Sequence, residues 1–398
     1  MSDPVPTTTI DRIDRSVGRA IDWLQTMLPA PDGSRGIWER IRIDIDEVVH
    51  WVRPDCTAEA RALFADAAVT LQRPELGPVA DGMGTWLLSA QNEDGSFPFY
   101  QLAEPDRPST LGQTGATRYP NDNGKVLEML SLWPDATDGA DRLAHHLADN
   151  QDEQGGFPMN WGPRLGPCFV AWPAIGLARH AALGTAGAEA SRQAALRSID
   201  RLVELQLPDG RLQTSYEIQG RENWRPASSE TAETLRAFSL AQRLLGVDLG
   251  EQIAGAADFL HRLSTEDGAI RNCDDSCRDA SEQNDASLTD LVYTCGYALH
   301  AWIDAWRATG DRRHLEAGHR LGEFLMSIQV DDPHVGWHGA WRGSYDVDRR
   351  TWRGRANQSN PIDEGGAWSV YTGWTTATIA TGLLRLRAAV AAGHLDPS

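Results

Sequence analysis

Hydrophobic and polar positions along this chain alternate between two kinds of helical segment. Segments of the first kind carry an apolar stripe at helical spacing, such as Leu143, Ala144 and Leu147, with Arg, Asp or Glu between the apolar positions. We predict six of these amphipathic helices, at about 11–28, 77–91, 138–151, 190–206, 249–264 and 312–329. Segments of the second kind are apolar nearly all round and are predicted at about 56–71, 123–133, 168–184, 229–245, 288–308 and 367–387.

The alternation itself predicts the fold. A helix that is apolar on every side must be buried, whereas an amphipathic helix buries one face. Six half-buried helices that alternate with six buried ones indicate an outer ring around an inner ring. The sequence therefore predicts an all-α protein, a single (α/α)6 toroid domain over residues 1–398, with six outer/inner helix pairs and no convincing strands. The repeats are expected at about 8–71, 77–133, 138–184, 190–245, 249–308 and 312–388.

A polar turn built on glycine follows the amphipathic helices. Clear copies begin at Gln91, Gln151 and Gln206 and read QNEDGSF, QDEQGGF and QLPDGRL. A fourth copy, at 264–268, keeps the glycine and lacks the Gln. A fifth begins at Gln329 and is expected to reach Gly336 and Trp337 after an insertion. The period of about 55 to 65 residues suits two helices with their loops.

The connections between helices differ in length in a regular way. Connections from inner to outer helices are short, whereas those from outer to inner helices are long, at 92–121, 155–167, 207–228, 265–287 and 330–366. Loops longer than about 12–15 residues in a compact domain are usually functional. All of these would emerge on one face, beside the positive N-terminal ends of the inner helices, so this face is predicted to carry the site.

Composition limits the kinds of partner and the cellular compartment that we expect for this protein. The chain has 398 residues with 37 Lys plus Arg and 56 Asp plus Glu, for a net charge of −19, which disfavours nucleic acid. No apolar run reaches the roughly 18–20 residues of a membrane span, and no secretory signal begins the chain. Five cysteines, an odd number, suit a reducing compartment. We expect a cytoplasmic protein that can also work at the inner face of the cell membrane.

Lysine occurs once, at Lys125, so almost all of the basic residues are arginine. An acidic protein with almost no lysine is typical of a salt-rich cytoplasm or of a high-GC genome.

The glycine turns resemble the turn repeats of the squalene cyclase and prenyltransferase toroids, in which Gln and Gly fix the end of an outer helix onto the next turn. Phe97, Phe157 and Leu212 stand where that motif has an aromatic indole. The acidic motif of terpene cyclases is not matched by 272–275 or by 44–47. No histidine stands at a suitable spacing from Cys295 for a prenyltransferase zinc site. The resemblance implies the architecture.

Carbohydrate enzymes use the same fold, including polysaccharide lyases, unsaturated uronyl hydrolases and uronyl epimerases. The stretch 364–377, EGGAWSVYTGWTTA, looks like sequences of surface-glycan gene clusters. With the composition, it is similar to toroid proteins of haloarchaeal N-glycosylation. That resemblance implies processing of a hexuronic acid in a lipid-linked glycan.

The long loops are polar and aromatic. A terpene cyclase needs apolar walls around a carbocation, whereas Trp faces interleaved with Arg and Asn suit a sugar. Arginine can also pair bidentately with a uronate carboxylate, a role predicted for Arg225 and Arg342. The candidate substrate-binding residues are Asn123, Trp161, Trp224, Arg225, Trp341, Arg342 and Tyr371.

Uronate lyases and epimerases remove the C5 proton next to a carboxylate, which needs a base near that proton. Tyr119 and His338 are the candidate bases, and Tyr371 is held in reserve. A hydrolase would use two carboxylates, for which Asp122, Glu230 and Glu364 are available.

Several of these residues also fit structural roles. Asp122 and Ser229 are ordinary N-cap residues at helix starts, and the tryptophans can hold loops together. Cys273 and Cys277 lack the second pair of ligands that a metal site needs, so no metal is predicted. No glycine-rich phosphate loop follows a strand in the sequence, so no cofactor is predicted.

The favoured function is epimerisation or isomerisation of a hexuronic acid in a saccharide, within surface-glycan assembly. Three alternatives remain: a polysaccharide lyase or glycoside hydrolase, a terpenoid cyclase, and a glycan-binding assembly factor without catalysis.

Overall fold

The computed structural model describes residues 8–101, 115–159, 162–164, 166–218, 227–273, 286–354 and 366–395. Its long helices are labelled α1 to α12 in chain order. The outer helices are α1 (Thr9–Thr26), α3 (Leu76–Ser89), α5 (Thr137–Asp149), α7 (Ala188–Leu205), α9 (Gly250–Leu263) and α11 (Arg312–Ile328). The inner helices are α2 (Pro54–Thr70), α4 (Pro120–Ser131), α6 (Pro167–Ala181), α8 (Ala227–Leu245), α10 (Gly296–Thr309) and α12 (Thr378–Ala391).

The inner helices form a closed ring. Each inner helix packs on the next, and α12 packs back on α2, which confirms the predicted (α/α)6 toroid. Each outer helix packs on the inner helix that precedes it, and α1 packs on α12. Hairpins such as α2–α3, which contain the short connections, therefore join each inner helix to the outer helix that follows it. Because the ring is closed, neither end of the series of helix pairs is left exposed, and no capping repeat is needed.

The ends of the chain complete the ring. Asp14 on α1 accepts hydrogen bonds from Nε and Nη2 of Arg387 on α12, at 2.5 and 3.0 Å. The Gln329 amide, at the end of α11, also donates to the carbonyl of Ser16 at 2.9 Å. Helices at the two ends of the sequence are therefore neighbours.

Short strands in the loops were not predicted from the sequence, and the expectation of no strands was wrong there. One sheet has the order β2 (Glu47–Val52), β1 (Trp38–Arg42), β8 (Ser369–Tyr371). A second pairs β3 (Phe157–Met159) with β4 (Gly162–Arg164), and a third has the order β5 (Leu288–Asp290), β6 (Ser344–Asp346), β7 (Thr351–Trp352). All pairings are antiparallel.

The last two inner helices begin later than predicted. Strand β5 and a π-helical turn at Leu291–Cys295 precede α10, and strand β8 and a π-helical turn at Thr372–Ala377 precede α12. The apolar pattern continues through these strands and turns, so periodicity alone cannot separate them from the helices. The other helix boundaries lie within about three residues of the prediction.

The glycine turns fasten neighbouring outer helices together. The Gln206 side chain donates to the carbonyls of Gly210 and Gln252, at 3.2 and 2.9 Å. Gly210 has a φ of +89°, and a Cβ there would lie 2.0 Å from the carbonyl oxygen of Gly255 on α9. In the fifth turn the glycine in this position is Gly339 rather than the predicted Gly336, because Gln329 donates to the Gly339 carbonyl at 2.7 Å.

The buried apolar residues form one continuous core that extends from Ile13 to Leu395. Among the described helices, none has both the length and the hydrophobicity of a membrane span.

Candidate active site

The N-terminal ends of the inner helices bring buried carboxyl groups to one face of the ring. Asp55, Asp122 and Glu230 lie in the first turns of α2, α4 and α8. Asp290 precedes the π-helical turn before α10, and its carboxylate accepts from the Val292 amide at 2.8 Å. Helix N-termini favour negative charge, which offsets part of the cost of burying these groups.

Arg53 connects three of the carboxyl groups on this face. Its Nη2 lies 2.7 Å from Asp55 Oδ2 and 3.0 Å from Asp122 Oδ2, and its Nη1 lies 2.9 Å from Glu39 Oε1. Glu39 also lies 3.7 Å from Nε of the buried Arg40. Burial makes each ionised carboxylate costly, so Asp55 and Asp122 compete for the same Arg53 nitrogen.

The two aspartates that share Arg53 Nη2 have opposite pKa shifts. Burial raises the pKa of Asp122 to about 7, and the attraction of Arg53 does not cancel this effect. Burial also acts to raise the pKa of Asp55, but Arg53 and Lys125 lower it below its usual value. Near neutral pH the pair therefore holds an ionised Asp55 beside an Asp122 that can give or take a proton.

A second group of carboxyls lies on α8 and β5. Glu230 accepts from the backbone amide and hydroxyl of Ser215, at 2.8 and 2.5 Å. Burial raises the pKa of Glu230 and of Asp290 to about 7 each. Burial and the nearby Glu230 raise the pKa of Glu233 to about 8. These groups can carry protons at neutral pH.

Lys125 occupies the centre of the ring, below the carboxyl groups. Its Nζ donates to the Tyr297 hydroxyl at 2.5 Å and lies 3.0 Å from Glu59 Oε1. It also lies 3.4 Å from the ring centroid of Trp374. Lys125 is only 1% exposed, so the single lysine of the chain is an internal charge.

Aromatic side chains line this face. Trp51 stacks on Tyr100 with ring centroids 4.3 Å apart, and Phe99 meets Tyr119 edge to face at 4.9 Å. The Arg53 guanidinium lies 4.4 Å from the centroid of Phe99, which links these rings to the carboxyl groups. Aromatic faces beside charged groups suit a sugar ring with its hydroxyls.

Arg342 lies beside β6, on the side of the ring where α10 begins. The antiparallel pairing of β5 with β6 sets Asp290 opposite Ser344, two residues from Arg342. The guanidinium lies 5.4 Å from the centroid of Trp368 and 5.9 Å from that of Trp352. It makes no ion pair among the described residues, and burial lowers its pKa to about 10.

The structure brings together several of the residues predicted from sequence. Asp122, Tyr119, Glu230 and Arg342 lie at the N-terminal ends of the inner helices or in the loops beside them. Tyr371 is buried on β8, where its hydroxyl accepts a hydrogen bond from Arg40. Asp122 does not cap α4, because Tyr119 is the N-cap residue and the Asp122 carboxylate pairs with Arg53.

Two of the predicted residues, His338 and Trp341, lie in the fifth glycine turn. His338 lies in the fifth turn, where its Nδ1 is 3.8 Å from Asp331 and the next residue, Gly339, packs on α1. Trp341 is fully buried in the position of Phe97, and its indole donates to the Leu325 carbonyl at 2.8 Å. Sequence alone could not place the insertion in this turn.

Asn123 was expected to help bind substrate, but its amide serves the backbone. Its Oδ1 accepts from the Phe97 amide at 2.7 Å, and its Nδ2 donates to the Phe97 and Tyr119 carbonyls at 3.2 and 2.9 Å. Asn123 therefore fixes the first glycine turn onto α4.

Trp161, Trp224, Arg225 and Glu364 lie outside the described residues, as does Cys277. Cys273 is buried. Among the residues that the structure describes, no group of His, Cys, Asp and Glu is arranged to hold a metal ion.

Four charged residues of this candidate site were not predicted from the sequence: Arg53, Asp55, Glu233 and Lys125. A signal for two of them is present: Asp122, Lys125 and Glu128 stand three residues apart on α4, as do Glu230, Glu233 and Arg236 on α8. Charged residues at that spacing share one face of a helix. On an apolar inner helix, such a face points to the ring interior.

Solved structures share this fold. A sugar epimerase from a ruminal bacterium has a TM-score of 0.66 at 14% identity, over 95% of this chain and 98% of that one. An α-mannanase from Bacteroides thetaiotaomicron has a TM-score of 0.61 at 11% identity, over 96% and 97%. A type II terpene cyclase from Scytonema has a TM-score of 0.55 at 16% identity, over 96% and 99%.

No protein-family model matches the sequence, and no curated protein matches it significantly. The structural neighbours thus include carbohydrate enzymes and a terpene cyclase. At these low identities the likeness shows the fold alone, and the fold is the (α/α)6 toroid.

Proposed function

We propose that this protein is a carbohydrate-processing enzyme that transfers protons with the carboxyl groups on the N-terminal face of its inner ring. The observation that carries the proposal is the pair formed by Asp55 and Asp122, which share Arg53 Nη2 but have opposite pKa shifts. Such pairs are typical of acid–base sites. The similarity in fold to a sugar epimerase and a mannanase supports a saccharide as the substrate.

Arg342 supports a hexuronic acid within that saccharide. The half-buried Arg342 guanidinium pairs with no carboxylate in the part of the chain that the structure describes, and a ligand carboxylate, which arginine can bind bidentately, would stabilise it. Trp368, about half exposed, lies beside it and offers an indole face to the sugar ring. A neutral sugar would leave this arginine uncompensated.

The favoured reaction is epimerisation or isomerisation at C5 of the uronate. Asp122, with a pKa near 7, is suited to remove the proton, and Arg342 would stabilise the charge that develops on the substrate carboxylate. A proton must then return from another direction. Glu230 and Glu233 lie on α8, which α6 separates from α4 in the ring, and both can be protonated near neutral pH.

The charged centre argues against a terpenoid cyclase. A carbocation needs apolar walls, whereas the Lys125 ammonium and the Arg53 guanidinium stand among the carboxyl groups here. We propose surface-glycan assembly in a salt-rich cytoplasm as the setting, with a lipid-linked glycan as substrate. The composition and the resemblance of the stretch 364–377 support it.

Hydrolysis of a glycan is the second candidate. Glycosidases pair a protonated carboxyl with an ionised carboxylate, and Asp122 with Asp55 fits that description. Asp55 also accepts from the Trp374 indole at 2.6 Å, so its carboxylate is firmly oriented.

Incubation with uronate oligosaccharides in deuterated water tests the proposal. We expect deuterium at C5 without chain cleavage, read by NMR and mass spectrometry. Asp122→Asn should lower the exchange rate by at least about 100-fold. The exposed Asp138→Asn is the matched control and should exchange at the wild-type rate.

Other outcomes of this experiment would support one of the alternative functions. New reducing ends without exchange would indicate a hydrolase, and unsaturated products would indicate a lyase. Saturable binding without any turnover would contradict an enzyme and favour a glycan-binding factor. Neither binding nor turnover of saccharides would contradict the substrate class itself.

A further inference from the structure

A second charged centre lies at the opposite end of the inner ring, near the C-terminal ends of its helices. Five arginines from α6, α8, α10 and α12 converge there: Arg179, Arg236, Arg243, Arg307 and Arg385. The chain as a whole has a net charge of −19, so a concentration of positive charge is unusual for this protein.

Two buried carboxylates hold three of these arginines. Glu128 Oε1 lies 2.6 Å from Arg236 Nη2 and 3.3 Å from Arg179 Nε. Asp304 accepts from Arg385 at 2.6 and 3.2 Å and from Arg236 Nε at 3.3 Å. These ion pairs link α4, α6, α8, α10 and α12, and each is part of the packed interior.

Among the described residues, Arg243 has only a distant carboxylate partner and Arg307 has none. Arg243 Nη2 comes no nearer than 3.9 Å to Asp304, and its side chain is 28% exposed. Arg307 is exposed and has no ion pair within 4.0 Å among the described residues. Asp66 on α2 also lies near Arg385, and burial raises the pKa of its carboxyl above the usual value.

We propose that this arginine centre binds a phosphate-bearing ligand. Among the described residues, Arg243 meets only Asp304, at 3.9 Å, and Arg307 meets no carboxylate. A phosphate ester carries a charge of roughly −1.5 to −2 at neutral pH, which can balance both arginines. The fork of donors on arginine also matches phosphate oxygens. A single sugar carboxylate would balance only one of the two.

This site goes beyond the proposed function, because it lies at the other end of the ring from Asp122. Its ligand could be a free phosphate or a phosphate group on a sugar, and the two share the chemistry that the arginines recognise. Access is available from solvent through the exposed parts of Arg243 and Arg307.

Titration calorimetry at constant ionic strength tests the site, with inorganic phosphate, pyrophosphate and glucose 1-phosphate as separate probes. We expect saturable binding at one site per chain for at least one probe. Arg243→Gln and Arg307→Gln should each weaken that binding by about tenfold. Arg15→Gln, an exposed arginine on the outer helix α1, is the matched control and should bind as the wild type does. Tighter binding of glucose 1-phosphate than of phosphate would identify a sugar phosphate as the source.

Two outcomes would overturn the proposal. One is no saturable binding of any probe; the other is unchanged affinity in the folded double variant of Arg243 and Arg307, checked by circular dichroism. The arginines would then only balance the negative C-terminal ends of the inner helices. Asp122→Asn should keep phosphate binding, so failure at one site is distinguishable from failure at the other.

Discussion

The Lys125 ammonium donates to the Tyr297 hydroxyl at 2.5 Å and so joins α4 to α10 across the centre of the ring. The same Nζ lies 3.0 Å from Glu59 Oε1 on α2. Burial, Glu59 and Glu233 raise the pKa of Tyr297 well above its usual value, so its hydroxyl stays protonated. One lysine side chain therefore holds three inner helices together through a charge that cannot reach water.

Lys125→Met should destabilise the protein by about 3–5 kcal/mol, because it leaves the Glu59 carboxylate buried without its cation. Urea unfolding measures the change in free energy. Glu59→Gln added to Lys125→Met should restore part of the loss, since the double variant has no buried unpaired charge. Wild-type stability in Lys125→Met alone would contradict the central role of this ion pair.

Glu233→Gln should change how stability depends on pH. Burial raises the folded-state pKa of Glu233 to about 8, whereas the unfolded chain has a pKa of about 4.3. The folded protein thus keeps a proton that the unfolded chain loses. The contribution of the Glu233 carboxyl to the free energy of unfolding is complete below about pH 4 and is lost as the pH rises toward 8.

The Gln variant lacks this loss, so its unfolding free energy relative to the wild type should increase between about pH 5 and pH 8. Urea unfolding at several pH values measures the difference. Asp138→Asn, at an exposed position, should give a flat difference. A flat difference for Glu233→Gln would show that this carboxyl is ionised in the folded protein.

Arg342→Gln should weaken the use of uronate substrates selectively. The variant loses the cation that faces the substrate carboxylate, so kcat/KM for a uronate saccharide should fall by at least about tenfold. A neutral saccharide of the same length should be affected little. Arg350→Gln, an exposed position beyond β6, serves as the control, and equal losses on both substrates would exclude a role in recognising the carboxylate.

Gly210→Ala should destabilise the protein more than Gly184→Ala, although both glycines have positive φ, +89° and +69°. A Cβ at Gly184 meets nothing within 4 Å, so only the backbone strain of about 1–2 kcal/mol applies. A Cβ at Gly210 would lie 2.0 Å from the Gly255 carbonyl, so the turn would have to separate from α9. Thermal or urea unfolding compares the two variants, and equal losses would mean that the turn does not hold α9.

The sequence by itself determined the toroid, because its signals are local. Apolar spacing within each segment separates half-buried from buried helices, and the turns at Gln91, Gln151 and Gln206 recur at a regular period. The long loops also predicted one face for Asp122, Glu230 and Arg342, where the structure places them at the N-terminal ends of the inner helices or in the loops beside them. These features depend on residues that are close in sequence, so one chain suffices to recognise them.

The tertiary structure alone decided which charges meet. Arg53 and Asp122 are far apart in sequence but share an ion pair, and Lys125 reaches Tyr297 only because the ring closes. The insertion after Gln329 likewise hid the position of the fifth turn, which the contact of Gly339 with α1 reveals. Electrostatic coupling depends on distance and burial in space, which the order of residues along the chain does not contain.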